Sequence, residues 1–302
     1  REPRSAARPC CTMAAGEQPT REWDIDPAKL KLHERVGSGR TAQVYRAVLD
    51  GREVAVKQFA VDASLMSPTE QRNLQREIAI MKDVTHPLLV NLIGVMSVRS
   101  LLCLVTEYCR GGCLFQLLHN SDHIDLTWSQ QIKMACDVAQ AMCFLHNSKP
   151  QIIHRDLKSL NLLLAEPVVS ELTEPIVKVS DFGQSKMIEK VPGQVNTRAV
   201  GTQHWMAPEV LKGGEYDEKI DVYSYAMILY EIICREMPFE DESPKRVALM
   251  VATGARPDLA AVPPDCPSQL QKLMVDCWAQ DPQKRPSFER VISVLGPVKA
   301  LL

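Results

Sequence analysis

The strongest constraint on the fold is a change of hydrophobic periodicity about one third of the way along the chain. Up to about residue 107, short segments alternate apolar and polar residues, and Asp50 and Gly51 form a two-residue hairpin turn between two of them. After Gly111 and Gly112 the apolar residues recur at helical spacing, first over residues 128–146. The sequence therefore predicts an α+β chain with a small β lobe, a larger and mainly helical lobe, and a cleft between them.

In the first lobe the pattern predicts five strands and one main helix. The predicted strands cover residues 32–36, 44–49, 53–59, 88–95 and 101–106. Ser67, followed by Pro68 and Glu70, predicts the start of a helix that runs to about residue 84. The inward stripe of this helix consists of Leu74, Ile78 and Met81, with Glu77 beside it. Further helices are predicted over residues 128–146, 221–234, 243–253, 268–279 and 287–295.

Composition divides the chain into a leader and one domain. Residues 1–20 are rich in Arg, Pro and Ala without an apolar period, so we expect a disordered leader. Residues 21–302 are predicted to form the domain, with lobes at about 30–108 and 109–302. The net charge of −2 argues against nucleic acid as a partner, and no apolar run approaches the roughly 18 residues of a membrane span. The longest apolar run, residues 226–234, contains Glu231 and predicts a buried helix.

The ten cysteines bear on the redox environment. No pair has C-x-x-C spacing, and Cys109 and Cys113 have no matching half-site for zinc elsewhere. We therefore expect reduced, mostly buried thiols and a cytoplasmic location in preference to a disulfide framework.

A dense polar stretch interrupts two apolar segments at residues 154–161. It reads His-Arg-Asp-Leu-Lys-Ser-Leu-Asn, and Asp181 follows in an Asp-Phe-Gly sequence. A carboxylate at Asp156, a cation at Lys158 and an Asn161–Asp181 pair suited to Mg²⁺ are the groups that phosphoryl transfer requires. A polar turn after a strand is the structural alternative.

A second motif lies in the first lobe. Gly37, Ser38 and Gly39 sit between two predicted strands, with Ala42 at the position where the G-x-G-x-x-G pattern has its last glycine. A Val-Ala-Val-Lys strand ending at Lys57 follows, whereas a dinucleotide-binding glycine motif is followed by a helix. An inward Lys57 and an inward Glu77 predict a partly buried ion pair.

Together with Ala207-Pro208-Glu209 and residues 277–286, these motifs resemble a eukaryotic protein kinase domain from about residue 30 to residue 295. Lys158 and Ser159 after the catalytic Asp, and Gly201 to Glu209, resemble the serine/threonine pattern. The residues Trp23-Asp24-Ile25-Asp26, just before the first strand, resemble the tyrosine-kinase-like group, and so does the predicted helix that contains Cys277 and Trp278. This group contains mixed-lineage and Raf-type kinases.

The resemblance implies a bilobal kinase fold and an activity. We expect a signalling enzyme that transfers the γ-phosphoryl group of Mg·ATP, with Mn²⁺ as the alternative ion, to Ser or Thr hydroxyls of protein substrates. The alternatives are a dual-specificity or tyrosine kinase, a weakly catalytic pseudokinase scaffold, and a kinase of small molecules. Because Lys57, Asp156, Asn161 and Asp181 are all present, the sequence favours the active enzyme.

The resemblance also implies the roles of individual residues. Asp156 would accept the hydroxyl proton, Lys158 would contact the transferring phosphoryl group, and Asn161 and Asp181 would hold the metal. Lys57, paired with Glu77, would hold nucleotide phosphates. The expected nucleotide contacts are Val36, Gly37, Ser38, Gly39, Val44, Ala55, Lys57, Thr106, Glu107, Cys109 and Leu163.

The resemblance further implies which residues regulate the activity and which pairs of residues stabilise the fold. Arg155 would receive a phosphate on the activation segment, with Thr197 as the expected phosphosite and Thr202 as a residue that contacts the catalytic loop. The pairs expected to support the fold are Glu209 with Arg285, Asp221 with the catalytic loop, and the stacked Met81, Leu92, His154 and Phe182. Gln184 replaces an apolar residue and is expected to loosen Phe182, and residues 165–176 are predicted to be an exposed hairpin insertion.

Overall fold

Five antiparallel strands form most of the first lobe in the computed structural model, which describes residues 23–39, 42–59, 67–98, 101–121, 123–188 and 202–301. The strands are β1 (Leu30–Ser38), β2 (Ala42–Leu49), β3 (Arg52–Phe59), β4 (Leu92–Val98) and β5 (Leu101–Glu107). Their order in the sheet is β1-β2-β3-β5-β4. The predicted leader and Thr197 lie outside the described residues.

The β2–β3 hairpin forms at the predicted turn. Asp50 and Gly51 have φ angles of 47° and 81°, which a two-residue hairpin turn requires and which Asp and Gly tolerate. Alternation along β3 then buries Val54 and Val56 at 1% and 0% exposure. Lys57 lies on the opposite face, which is the face toward the second lobe.

Helix α1 (Pro68–Asp83) packs beside the sheet. Leu74 and Met81 are buried as predicted, but Ile78 is half-buried and Ile80 is fully buried in its place. Glu77 is 4% exposed, so the inward face of the helix carries a carboxylate among apolar side chains. A buried carboxylate needs a partner, and the site supplies one.

The second lobe is mainly helical. Its helices are α2 (Leu114–His119), α3 (Trp128–Asn147), α4 (Pro208–Leu211), α5 (Lys219–Cys234), α6 (Pro244–Ala252), α7 (Ser268–Cys277) and α8 (Phe288–Ala300). Two short antiparallel pairs complete it, β6 (Gln151–Ile153) with β9 (Lys186–Ile188) and β7 (Leu162–Leu164) with β8 (Val177–Val179). Thr127 caps α3, where its hydroxyl oxygen accepts a hydrogen bond from the Gln130 N–H at 3.2 Å. Of the described helices, none combines the length and apolarity needed to cross a membrane.

The predicted start of the fourth strand is wrong. Strand β4 begins at Leu92, whereas the apolar pattern placed its start at residue 88. Leu89 and Val90 are buried because this turn packs against the second lobe, where the Val90 N–H donates to the Val179 carbonyl at 2.9 Å. A short apolar run does not reveal whether a strand or a turn is being buried.

Residues 165–176 form the predicted exposed hairpin insertion between β7 and β8. Its base is closed by the Ala165 N–H, which donates to the Ile176 carbonyl at 3.0 Å. The Gln130 side-chain amide on α3 donates to the carbonyls of Ser170 and Thr173 at 2.9 and 2.8 Å. Leu172 at the tip is 96% exposed. The insertion is therefore exposed yet fixed at two levels.

Candidate active site

A cavity of about 380 Å³ opens between the two lobes. Nine of the eleven predicted nucleotide contacts line it, namely Val36, Gly37, Val44, Ala55, Lys57, Thr106, Glu107, Cys109 and Leu163. Ser38 and Gly39 do not line the cavity and lie at the end of β1, where the Gly39 N–H donates to the Ala42 carbonyl at 2.8 Å. Of the glycine motif, Gly37 therefore lines the cavity, while Ser38 and Gly39 lie beyond its lining.

Some residues that line the cavity were not among the predicted nucleotide contacts. They are Met81, Val90, Leu104, Tyr108, Gly112, Cys113, Gln116, Leu160 and Ser180. Cys113 and Gln116 belong to the start of α2, which is too short for its periodicity to be recognised. Gly112 has a φ angle of 71°, and its position in a Gly-Gly pair is the signal that a turn faces the cavity here.

The Lys57 ammonium lies between two carboxylates. Its Nζ is 2.6 Å from Glu77 Oε1 and 3.2 Å from Asp181 Oδ1. Burial by itself would lower the pKa of Lys57, but the charges of Glu77 and Asp181 outweigh it, and the pKa is raised. Burial would likewise raise the pKa of Asp181, yet the Lys57 charge and hydrogen bond bring it below its usual value. Lys57 is therefore a cation and Asp181 an anion in this site.

The loop between β6 and β7 brings Asp156, Lys158 and Asn161 together. The Lys158 Nζ donates to Asp156 Oδ2 at 2.7 Å, and to the Thr202 hydroxyl at 2.9 Å. The Asn161 side-chain amide donates to the Asp156 carbonyl at 2.8 Å and to its Oδ2 at 3.2 Å. The Asp156 carboxylate is thus held from two sides at the mouth of the cleft.

A buried carboxylate on α5 anchors this loop from below. Asp221 is 0% exposed, and its oxygens accept from the N–H groups of His154 and Arg155 at 2.8 and 2.9 Å, with His146 Nε2 2.9 Å away. Burial raises the pKa of Asp221, but the hydrogen bonds and charges around it, first those of His146, bring it below the usual value. Arg155 has a φ angle of 69°, a strained conformation that these hydrogen bonds hold in place.

Comparison with known proteins identifies the architecture. A family model described as protein tyrosine and serine/threonine kinase matches residues 30–295. The chain belongs to this protein kinase family. The match confirms the predicted kinase domain and its α+β bilobal fold. Members of the family use ATP and a divalent metal ion, generally Mg²⁺.

The curated relatives carry serine/threonine kinase names. The kinase domain is 39% identical over 276 residues to the probable serine/threonine-protein kinase roco7 of Dictyostelium discoideum, covering 89% of this chain and 10% of that protein. It is 36% identical to the serine/threonine-protein kinases VIK and CTR1 of Arabidopsis thaliana, covering 93% and 92% of this chain and 63% and 32% of those proteins. The chain therefore spans less than two thirds of the length of each of these relatives. Their names agree with the predicted serine/threonine group.

The kinase site includes a cluster of cations next to Arg155. The Arg155 guanidinium donates to the Gln184 carbonyl at 2.6 Å and lies 3.3 Å from the Tyr216 hydroxyl. Burial and the charge of Arg155 lower the pKa values of Arg76 and Lys186, so these three cations share one region. Only Arg155 of these three was predicted from the sequence, because Arg76 comes from α1 and Lys186 from β9.

The apolar side chains expected to stack in this kinase domain are buried. Phe182 is 1% exposed, and the centroid of its ring is 5.7 Å from that of His154. Met81 and Leu92 are 6% and 7% exposed in the same core. Gln184 contributes its backbone carbonyl to the contact with Arg155, and the expectation that it loosens Phe182 stays a prediction.

A buried ion pair ties α4 to the segment before α8. The Arg285 guanidinium binds Glu209 in a bidentate manner, with N–O distances of 2.6 and 2.9 Å. It also donates to the carbonyls of Ala279 and Lys219 at 2.8 and 3.0 Å. The guanidinium carbon lies 5.1 Å from the centroid of the Tyr223 ring, and Arg256 lies at the same distance. This pair was implied by the kinase resemblance and is present.

Proposed function

We propose that this kinase domain transfers the γ-phosphoryl group of ATP, in the presence of Mg²⁺, to Ser or Thr hydroxyls of protein substrates. One observation carries the proposal: Lys57, Asn161 and Asp181 line a single cavity between the lobes that is large enough for a nucleotide, and the Asn161 amide donates to the Asp156 carboxylate at 3.2 Å. The serine/threonine kinase names of the relatives support the choice of hydroxyl.

The donor set fits a magnesium ion. Asn161 and Asp181 line the cavity with oxygen atoms, which are the ligands that Mg²⁺ prefers. The Asn161 amide nitrogen is occupied by Asp156, which leaves its carbonyl oxygen for the metal. The lowered pKa of Asp181 keeps this ligand charged. When bound, the ion supplies positive charge against the phosphate oxygens.

The chain's own residues complete the transfer. Lys57, fixed by Glu77, would hold the nucleotide phosphates. Asp156 would accept the proton of the substrate hydroxyl while the new O–P bond forms and the bond from phosphorus to the ADP oxygen breaks. Lys158 would stabilise the negative charge of the transferring group from its position 2.7 Å from Asp156.

The cluster of Arg155, Arg76 and Lys186 supports regulation by phosphate. Three cations in one region favour a doubly charged phosphate group on the activation segment, and Thr197 is the proposed residue that carries it, although it lies outside the described residues. Thr202 contacts Lys158 and is proposed to be structural. If Thr197→Ala keeps full activity while Thr202→Ala loses it, phosphorylation of Thr197 does not activate this kinase.

The decisive experiment measures transfer of radiolabelled phosphate from ATP to a generic protein substrate, followed by phosphoamino-acid analysis. We expect phosphoserine and phosphothreonine with the wild type and almost none with Asp156→Asn. Asp276→Asn on the exposed face of α7 is the matched control and should retain activity. Equal transfer by wild type and Asp156→Asn would refute the mechanism, and phosphotyrosine alone would refute the proposed hydroxyl.

The residues of the cleft bear on two alternative functions, a non-catalytic scaffold and a dual-specificity kinase. Among the described residues no feature of the cleft favours a non-catalytic scaffold, since Lys57, Asn161 and Asp181 line it and Asp156 contacts Asn161. Dual specificity remains an outcome of the phosphoamino-acid analysis. We propose a cytoplasmic location, which the free thiols of the eight cysteines that the structure describes support, because a reducing compartment preserves free thiols.

A further inference from the structure

An open groove of about 580 Å³ lies on the second lobe between α7 and α8. The residues that line it differ from those that line the cleft between the lobes. Four of them are apolar, namely Leu273, Pro286, Val294 and Pro297. Leu273 is 3% exposed, and Pro286 and Val294 are half-buried, so these side chains form the floor of the groove. We call it the α7–α8 groove.

Three cations and one carboxylate line the same groove. The cations are Lys272, Lys284 and Arg290, and the carboxylate is Asp276. The Lys272 Nζ is 2.8 Å from Asp276 Oδ2, so these two charges compensate each other. Lys284 and Arg290 are exposed, and neither forms an ion pair with any residue that the structure describes. The α7–α8 groove is therefore positively charged, in a chain whose net charge is −2.

The hairpin insertion carries the complementary pattern at its tip, residues 169–174. Val169 and Leu172 are 76% and 96% exposed. Glu171 and Glu174 flank Leu172 and are exposed, and neither forms an ion pair within the part of the chain that the structure describes. The insertion tip is thus apolar and negatively charged, whereas the α7–α8 groove is apolar and positively charged. Covering the apolar side chains removes their surface from water, which favours association.

The insertion tip does not reach the α7–α8 groove of its own chain. The Gln130 side-chain amide on α3 donates to the carbonyls of Ser170 and Thr173, at 2.9 and 2.8 Å. Gln130 is 4% exposed, so little water competes for these bonds. They hold the tip in the position in which Leu172 is almost wholly exposed. A surface that covers the tip must therefore belong to another molecule.

We propose that this chain binds a second copy of itself, with the insertion tip of one copy seated in the α7–α8 groove of the other. The apolar residues of the tip cover the apolar floor, while Glu171 and Glu174 face Lys284 and Arg290. Opposite charges around an apolar centre fix the register of such a contact and exclude other partners. The proposal does not depend on the kinase function, because no residue of the cleft takes part.

Sedimentation equilibrium of the full chain tests for this contact. We expect the weight-average mass to rise above that of the monomer as the concentration increases to about 0.3 mM, a range that detects weak specific contacts. Raising the salt concentration to about 1 M should lower this mass, because the Debye length falls to about 3 Å and the charges no longer attract. A monomer mass at every concentration, or a mass that rises with salt, overturns the proposal.

Two charge-reversal variants show whether these two surfaces form the contact. The insertion variant combines Glu171→Lys with Glu174→Lys, and the groove variant combines Lys284→Glu with Arg290→Glu. All four positions are exposed, so the fold should be kept. Each variant alone brings like charges together and should associate with itself at least about 10-fold more weakly than the wild type. An equimolar mixture of the two should regain association, because every insertion tip then meets a groove of opposite charge on the other variant.

The matched control combines Glu240→Lys with Asp241→Lys. These exposed residues lie outside both surfaces, and the control changes the net charge as much as the insertion variant does. It should associate like the wild type. Leu172→Ala shortens the apolar tip without changing its charge and should weaken association about 10-fold. The proposal is overturned if the control associates as weakly as the insertion variant, if Leu172→Ala has no effect, or if the mixture of variants remains monomeric.

Discussion

Replacing Glu209 by Ala tests whether the buried ion pair with Arg285 stabilises the second lobe. The Arg285 side chain is 0% exposed, and the substitution removes both of its charge-assisted hydrogen bonds to Glu209. Leaving a buried charge without its partner costs about 3–5 kcal/mol. Arg285 keeps its bonds to the carbonyls of Ala279 and Lys219, and the Glu209 side chain is 12% exposed, so water reaches the gap. We therefore expect the lower end, a loss of about 3 kcal/mol in the free energy of unfolding.

The measurement is urea denaturation followed by both fluorescence and circular dichroism, so that coincident transitions verify two-state behaviour. Heating should show a fall in Tm of about 6–12 °C for a domain of this size. Asp276→Ala is the control, because it removes the carboxylate of an exposed ion pair, the one with Lys272 on α7. It should cost less than about 0.5 kcal/mol.

A double variant, Glu209→Ala with Arg285→Leu, adds a second test of the same reasoning. Removing the guanidinium together with its partner removes the uncompensated charge, so the double variant should be more stable than the sum of the two single losses predicts. The reasoning is refuted if Glu209→Ala costs no more than Asp276→Ala.

Three further predictions concern the site. Lys57→Ala should lower kcat/KM for ATP by about 100-fold in steady-state kinetics, because the nucleotide phosphates lose the cation that holds them. An unchanged kcat/KM would exclude the role of Lys57 in phosphate binding. The stability that the ionised Asp221 contributes should be complete above the ordinary pKa of about 4 and should be lost as the pH falls through the lower pKa of the folded state. The difference in urea stability between the wild type and Asp221→Asn should therefore shrink below about pH 4. A difference that grows there would contradict the assignment. Burial and the Glu107 charge raise the pKa of Cys109 to about 12. At about pH 8 an alkylating reagent should therefore modify the Cys109 thiol far more slowly than it modifies a free cysteine, as followed by mass spectrometry. Rapid labelling would show that this thiol is not buried.

The parts of the site that follow from local sequence were predicted well. The β2–β3 hairpin follows from Asp50 and Gly51, and the inward direction of Lys57 and Glu77 follows from strand and helix periodicity. Given these inward directions, the Lys57–Glu77 and Lys57–Asp181 contacts follow from the spacing of the motifs in the kinase family.

The parts that depend on short elements were missed. Strands β6 to β9 have three residues each, and α2 has six, so none of them spans enough of a period to be seen. The turn at Leu89 and Val90 was taken for a strand because burial between the lobes produces the same apolar composition. These errors arise where tertiary contacts, and not local preference, decide the conformation.

Glu231 shows a different limit. In the sequence this residue is a polar interruption in an apolar run, and the predicted buried helix around it is confirmed. Its partners His119, Ser159 and Trp205 are separated from it by 112, 72 and 26 residues. No periodicity within a single segment predicts these contacts, because they form only when the segments meet in space.

The closed base of the hairpin insertion has a consequence for how this part of the chain tolerates changes in length. Hydrogen bonding between Ala165 and Ile176 fixes both ends of the loop, while β8 leads directly from that base to Asp181. Doubling the length of a flexible loop costs only about 0.6 kcal/mol in closure entropy. Residues can therefore be gained or lost beyond this base in evolution, or a reporter peptide grafted there, at the expense of the Gln130 contacts and without shifting Asp181.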